Sequence, residues 1–414
     1  MTFRGWGTSL AWWANIDYDD FTKNLICDLL FDKANLGLNI VRYNIGGGTD
    51  SNNPDLHMRR GGMVPCLKDN GSKYIDLKND KIQIDILSES IKRGVDTVEL
   101  FVNSPPWWMT KNKKTYCDRP GISNLSSENY TEYAQFLSDV YNYFIKLFPV
   151  CSIDPFNEPS NPFWTYNRTQ EGCYFSWFSR RKIIKKLKAI NNNINISSSD
   201  SFSVGFALLW ELWSPKKLIN QVNVHSYKLN YKKWTLYLDD CNIIRKIFRM
   251  FVKKNIWISE YGCGGSNNLK LSLEFAKHII RDLKTLSPEA WIYWQAVETY
   301  NAWGLIEYDL NNTNKSEIIV TKKYWTFMHF TKTLNRGDQY KVIDNSTLYI
   351  YNEKLDKHAY IIINDSLKTI SFKPHKNNLC LDYFIQTSQF YNYKKLKITT
   401  IFPNTITSIY FTKN

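Results

Sequence analysis

Up to about residue 335 the chain alternates short apolar runs with longer amphipathic ones, and few folds accept that order. Short runs suit strands buried on both faces, and longer runs at three-four spacing suit helices laid over them. Repetition of the pair describes βα units around a parallel sheet. The expected strands are 5–13, 38–45, 95–102, 151–157, a weaker one at 195–201, then 221–227, 255–261 and 290–297. Helices are expected at 19–37, 81–94, 129–148, 241–255, 269–286 and 322–334. In the first of these Phe21, Leu25, Ile26, Leu29 and Leu30 form one stripe and Gly37 is the stop. Eight strands with intervening helices is the count that closes a (β/α)8 TIM barrel, so the fold class is α/β. From Gln339 onward the pattern changes to short β-rich runs separated by turn residues, which reads as an antiparallel β-sandwich side domain. The expected division is a barrel over 1–335 and a sandwich over 336–414.

Composition narrows the function classes. With 43% hydrophobic and 15% aromatic residues the chain fills a large core, which excludes disorder. Its 15 Trp, 26 Tyr and 23 Phe exceed what packing requires, and flat rings with polar edges suit sugar faces. The net charge of +14 is spread over segments such as RRKIIKKLKAI (180–190), read as a solvated helix face. Without zinc-finger spacing or an arginine-rich arm, no nucleic-acid partner is expected. Eight cysteines without a CxxC argue against a metal site. Cys66, Cys117, Cys173 and Cys263 fall in apparent loops with no readable pairing, whereas Cys27 and Cys241 read as buried thiols in helices. No apolar run approaches the ~20 residues of a membrane span, and the first residues lack the basic start and leucine-rich run of a secretory signal. NIGGGTD is neither a Rossmann nor a Walker pattern, so Gly46–Gly48 read as a close-approach loop, and no cofactor is expected.

Chemistry in such a barrel sits where strands end. Glu158 lies in DPFNEPS just past the fourth strand, and Glu260 closes the apolar run NIWISEYG of the seventh. A charge beside that core costs free energy unless it is paired or used. The fourth and seventh strands stand on opposite parts of the ring, so two carboxyls can aim at one point, as hydrolysis of a glycosidic bond requires. Proximity of like charges is expected to raise one of the two pKa values while hydrogen-bond donors keep the other group ionised. Arg42 in VRYNIGGG reads as a bidentate holder of the nucleophile or as an ordinary buried pair. Asn223, His225 and Tyr227 alternate and share a face, and His225 reads equally as a core histidine. Asn157 is placed to donate to a sugar 2-hydroxyl. Trp107 and Trp108 after the third strand, Trp294 on the eighth, and Trp12 and Trp13 on the first are stacking platforms or core.

The segments GWGTSLAWWA, VRYNIGGG, NSPPWWMT, FNEPS followed by QEGC, VNVHSY, WISEYG and WIYWQAVE occur in one order. Over about residues 3–340 this order resembles glycoside hydrolase family 30, in its endo-β-1,6-galactanase-like branch. The resemblance implies a retaining glycosidase without a metal, with Glu158 as acid/base and Glu260 as nucleophile. It also implies sugar-binding roles for Arg42, Asn157, His225, Tyr227 and Trp294. The expected substrate is β-1,6-galactan, met as a polysaccharide or oligosaccharide by a monomer. The rivals are β-1,6-glucan, a glucosylceramide-like glycoside, xylan, or a carbohydrate-binding protein that has lost catalysis. The family is one of extracellular or endomembrane enzymes.

Overall fold

Eight parallel strands form one sheet in the computed structural model, which describes residues 2–227, 241–310, 317–372, 374, 379–396 and 400–413. They are β1 (Gly5–Ser9), β2 (Ile40–Ile45), β3 (Thr97–Val102), β4 (Val150–Asp154), β5 (Ser197–Ser201), β6 (Gln221–His225), β7 (Asn255–Tyr261) and β8 (Ala290–Gln295). The hydrogen-bonded order runs from β4 through β3, β2, β1, β8, β7 and β6 to β5. A parallel bridge between Ile153 and Ile196 closes the ring, with the Ile153 amide 2.9 Å from the Asn195 carbonyl. This part of the chain is therefore a (β/α)8 barrel.

Eight helices cover it: α1 (Asp20–Phe31), α2 (Lys81–Lys92), α3 (Tyr130–Phe144), α4 (Trp177–Ile190), α5 (Val204–Trp213), α6 (Asn242–Phe251), α7 (Leu269–Thr285) and α8 (Lys322–Thr333). Several begin on a side chain that accepts a first-turn amide, as Asp19 does from Thr22, Ser176 from Ser179 and Asn268 from Leu271. Three expectations need correction. The buried stripe of α1 is Thr22, Ile26, Cys27, Leu30 and Phe31, and Phe21 points to solvent because it opens the helix ahead of that face. Cys241 is exposed, since it precedes α6 instead of lying inside it. The basic helix α4 is not wholly solvated: Arg180 is buried with its guanidinium 3.7 Å from the Trp210 ring. α5 escaped the sequence reading because its apolar residues go all round and leave no periodicity.

The main apolar core lies between sheet and helices. Inside the barrel a small cluster of Ile40, Trp257, Ala290 and Ile292 gathers near the strand starts. Above it the interior turns polar: Arg42, Glu99, Ser152, Asp154, Gln221 and Asn223 are buried and hydrogen-bond one another or their neighbours. Four of the eight expected strands, 5–13, 151–157, 221–227 and 290–297, ran too long at their C-terminal ends. Past Ser9 the chain enters a short 3-10 turn with Trp12 at φ 42°, and past Asp154 and His225 it leaves the sheet. Of those residues Trp12, Asn157 and Tyr227 line the barrel mouth instead of pairing.

Beyond α8 the chain forms a six-stranded antiparallel sheet, in the order Gln339–Val342, Thr347–Asn352, Lys357–Asn364, Thr405–Lys413, Leu379–Thr387 and Lys394–Leu396. A second pair, Ile370–Ser371 with Thr400–Ile401, makes the unit sandwich-like. It rests on α8, where buried His329 touches Ser408 Oγ at 2.8 Å and Thr387 Oγ1 at 3.0 Å. No helix among the described residues is long and apolar enough to cross a membrane.

Candidate active site

A cleft of about 420 Å³ opens at the C-terminal ends of the strands, lined among others by Trp12, Asn157, Glu158, Tyr227, Glu260 and Trp294. Five segments far apart in sequence thus meet in one place, as the βα order requires. Glu158 stands past β4 in the left-handed region at φ 40°. That turn is held by its amide donating to the Asp200 carbonyl at 2.9 Å and by the Trp164 indole donating to its own carbonyl at 3.0 Å. Its Oε2 accepts from Asn161 Nδ2 at 2.9 Å. Glu260, near the end of β7, accepts from the Tyr227 hydroxyl on Oε1 at 3.0 Å, while Oε2 is buried without a partner among the described residues.

His225 joins the two. Its Nδ1 lies 3.2 Å from Glu158 Oε1 and 3.4 Å from Glu260 Oε1, and its Nε2 lies 3.1 Å from Asp200 Oδ1. One donor atom from each of Glu158, His225 and Glu260 falls within 4.8 Å of the others. The ring is wholly buried, and burial alone would drive off its proton; Glu260 and Asp200 outweigh that and raise it to about 10. His225 accordingly keeps its proton between Glu158 and Glu260. Oxygen and nitrogen donors at this spacing have the geometry to hold a divalent cation, but a cation would first have to displace that proton.

Burial pushes the Glu260 carboxyl up to about 7; Glu158 and Asp200 act in the same direction, while His225 and Arg42 pull it down. The carboxyl so raised is that of the expected nucleophile, and the larger cause is loss of water, not like-charge proximity. Tyr227 is raised well above its usual range by burial and then by Glu260, so its hydroxyl keeps the proton it donates.

Arg42 does not grip Glu260. Its guanidinium reaches Glu99 at 2.8 Å, Asp200 at 2.8 Å and the Ser259 carbonyl at 3.1 Å, all without solvent exposure. The side chain leaves β2 inside the barrel, below the cleft floor, so it acts on Glu260 only through its charge. Trp107 is likewise absent from the lining residues. It packs edge-on against Trp108 beside the loop of Gly47, whose carbonyl accepts the Trp107 amide. Trp12 faces the cleft and meets Trp294 edge-on at 5.3 Å, whereas Trp13 is core. The Gly46 loop approaches backbone: a Cβ there would stand 2.2 Å from the Val64 carbonyl.

The residue that sequence reasoning missed is Asp200, at φ 40° after Ser199 at φ 103°. Burial acts to raise its carboxyl, but Arg42, His225 and the Ser259 hydroxyl hold it well below the usual range. Asp200 therefore keeps His225 charged, steadies the strand that carries Glu260, and receives the Glu158 amide. Its one signal in the sequence was a lone carboxylate in the serine run of the weakest strand.

Comparison with known proteins bears on the family and the fold. The chain is 28% identical over 407 residues to an endo-β-1,6-galactanase of Hypocrea rufa, covering 90% of this chain and 80% of that protein. A conserved exported protein from Bacteroides fragilis superposes with a TM-score of 0.83 at 20% identity, over 99% of this chain and 98% of that one. A family 30 subfamily 8 xylanase from Clostridium acetobutylicum superposes with a TM-score of 0.72 at 18% identity, over 100% of this chain and 97% of that one. Residues 1–222 match the profile of O-glycosyl hydrolase family 30, and the chain belongs to that family of glycosidases.

Proposed function

We propose that the protein is a retaining endo-β-1,6-galactanase in which Glu260 is the nucleophile and Glu158 the acid/base. The observation that carries the mechanism is the spacing of the pair across one cleft, with donor atoms of Glu158 and Glu260 within 4.8 Å. Double displacement needs carboxyls ~5–5.5 Å apart, whereas inversion leaves ~6.5–9.5 Å for a water. Support for the substrate comes from the similarity to the galactanase of Hypocrea rufa.

With Oε1 occupied by Tyr227, Oε2 of Glu260 is the oxygen left to attack the anomeric carbon. As that bond forms, the bond from the anomeric carbon to O6 of the next galactose breaks, and Glu158 gives its proton to O6. Water then enters: Glu158 takes back a proton, the water oxygen bonds to the anomeric carbon, and Glu260 is released. His225 Nδ1 faces an oxygen of each carboxyl, so charge passing between the two is met by a fixed cation. Asn157, whose Oδ1 has no partner among the described residues, is placed for a hydroxyl of the bound sugar.

Glu260→Ala is expected to abolish hydrolysis, and azide should restore turnover of an activated aryl galactoside as the azide of inverted configuration. Undiminished activity in that variant would end the assignment. Side-by-side product profiles from β-1,6-galactan, β-1,6-glucan and xylan test the substrate.

A further inference from the structure

The catalytic pair does not explain why one hexose is cut and not another, because it touches the anomeric carbon and the leaving oxygen alone. A group that discriminates must read ring hydroxyls. On the cleft wall beside Glu260 stands a third carboxylate, Glu298, reached from β8, which neighbours β7 in the ring. It is held in place rather than left to swing. Oε1 accepts from the Thr299 amide at 2.9 Å and the Thr299 hydroxyl at 3.2 Å, and Oε2 accepts from Gln295 Nε2 at 2.8 Å. Its backbone pairs with the short strand Ile306–Glu307. A carboxylate oxygen accepts two bonds, so Oε2, with one taken, retains capacity toward the cleft.

Facing the same cleft is Arg59, whose guanidinium lies 4.0 Å over the Trp12 ring. Its amide is fixed to the Thr169 carbonyl at 2.8 Å, yet among the described residues its side chain has no hydrogen bond or ion pair. Glu298 acts on Arg59 through charge without touching it. A donor and an acceptor of opposite charge thus flank one corner of the cleft, with Trp12 and Trp294 meeting there at 85°. Neighbouring hydroxyls of a sugar ring, each both donor and acceptor, fit between a carboxylate and a guanidinium, and the ring's apolar face fits an indole.

We propose that Glu298 and Arg59 form a hydroxyl clamp for the sugar on the Glu260 side of the scissile bond and set the choice between galactose and glucose, which differ only in the direction of the C4 hydroxyl. The clamp deepens the galactanase reading and rests on it. Glu298 acts on specificity, not on the reacting atoms.

The test measures kcat/KM on β-1,6-galactan and β-1,6-glucan for the wild type, Glu298→Gln, Arg59→Ala and the double variant. Glu298→Gln keeps the shape and an oxygen for the Thr299 amide, its new NH2 can meet Gln295 Oε1 once that amide turns over, and a thermal melt within a degree of wild type confirms the fold. The galactan-to-glucan ratio is expected to fall at least about tenfold in each single variant, as loss of a hydrogen bond to a charged group implies. The double variant should fall little further, because both residues read one sugar. An unchanged ratio overturns the clamp, whether activity on both substrates is kept or lost in parallel; parallel loss would make Glu298 a support for the catalytic pair. A wild type that cleaves neither polymer, or prefers glucan, sinks the galactanase reading before any variant is compared.

Discussion

Replacing Glu260 with glutamine should make the protein more stable, by an amount that grows as pH rises above about 4.5 and is complete above about 7. Burial, aided by Glu158 and Asp200, lifts this carboxyl from 4.5 to about 7. A shift of ~2.5 units corresponds to ~3 kcal/mol of preference for the protonated form in the folded state. Because the folded pKa lies above the unfolded one, that stability is complete below about pH 4.5 and is lost as pH rises through 7. At pH 8 the wild type carries a buried carboxylate at a disadvantage of ~3 kcal/mol, while the glutamine amide of the variant stays neutral throughout. The attraction of His225 and Arg42 is already contained in the value of about 7, so it needs no separate correction. Tyr227 can still donate to the amide oxygen, which preserves the local packing.

For 414 residues an unfolding entropy of ~2.1 cal/mol/K per residue converts ~3 kcal/mol into a rise of ~3–4 °C in Tm. The assay is calorimetry of both proteins at pH 4, 6 and 8. A difference near zero at pH 4 that grows to a few degrees by pH 8 is the expected pattern. An equal difference at all three values, or a variant less stable at pH 8, would refute the reasoning. Such a gain would also be purchased with all activity, the usual relation between a strained catalytic group and its fold.

Tyr227→Phe removes the donor to Glu260 Oε1, and kcat is expected to fall ~10- to 100-fold with Tm nearly unchanged, read from steady-state kinetics and a melt. Asp200→Asn deprives His225 of one of the two anions that raise it to about 10. The alkaline limb of kcat/KM should therefore move to lower pH, and the stranded charge of Arg42, left with Glu99 alone, should cost ~3 kcal/mol at pH 7. A pH-rate profile with an unmoved alkaline limb would remove Asp200 from that role. Trp294→Ala opens the corner it forms with Trp12 and should raise KM for oligosaccharides about tenfold more than it lowers kcat.

The barrel was legible because its period is long and redundant. Eight apolar runs separated by amphipathic ones leave one closed sheet as the economical arrangement, and a run such as 255–261 matched its strand residue for residue. Glu158 and Glu260 were legible for a related reason: a carboxylate at the end of an apolar strand is conspicuous against its neighbours. What stayed hidden depends on three-dimensional neighbours. Arg42 lies in the same strand register whether it meets Glu260 or Asp200, and only the closure of the ring through β5 decides between them. α5 is apolar on every side, so it carried no period to read.

Asp200 shows why the sequence reading stops where it does. Serines at 197, 198, 199 and 201 give only a weak strand signal, yet all are buried, and a strand of such small polar residues forms only because the barrel interior beside it is already polar. There the Ser259 hydroxyl, Arg42 and His225 each need an anion, and one carboxylate at an unusual backbone angle supplies all three. A positive φ at a non-glycine residue costs of order 1 kcal/mol and persists only where its surroundings hold it. Asp200 and Glu158 both sit at φ 40° and are tied by the Glu158 amide to the Asp200 carbonyl, so the strain at one end of the site holds the other. Neither angle is encoded by the residue that adopts it. Both follow from a cluster that exists only once β4, β5, β6 and β7 have met, which is why the weakest strand in the sequence carries the residue that fixes the charge of the site.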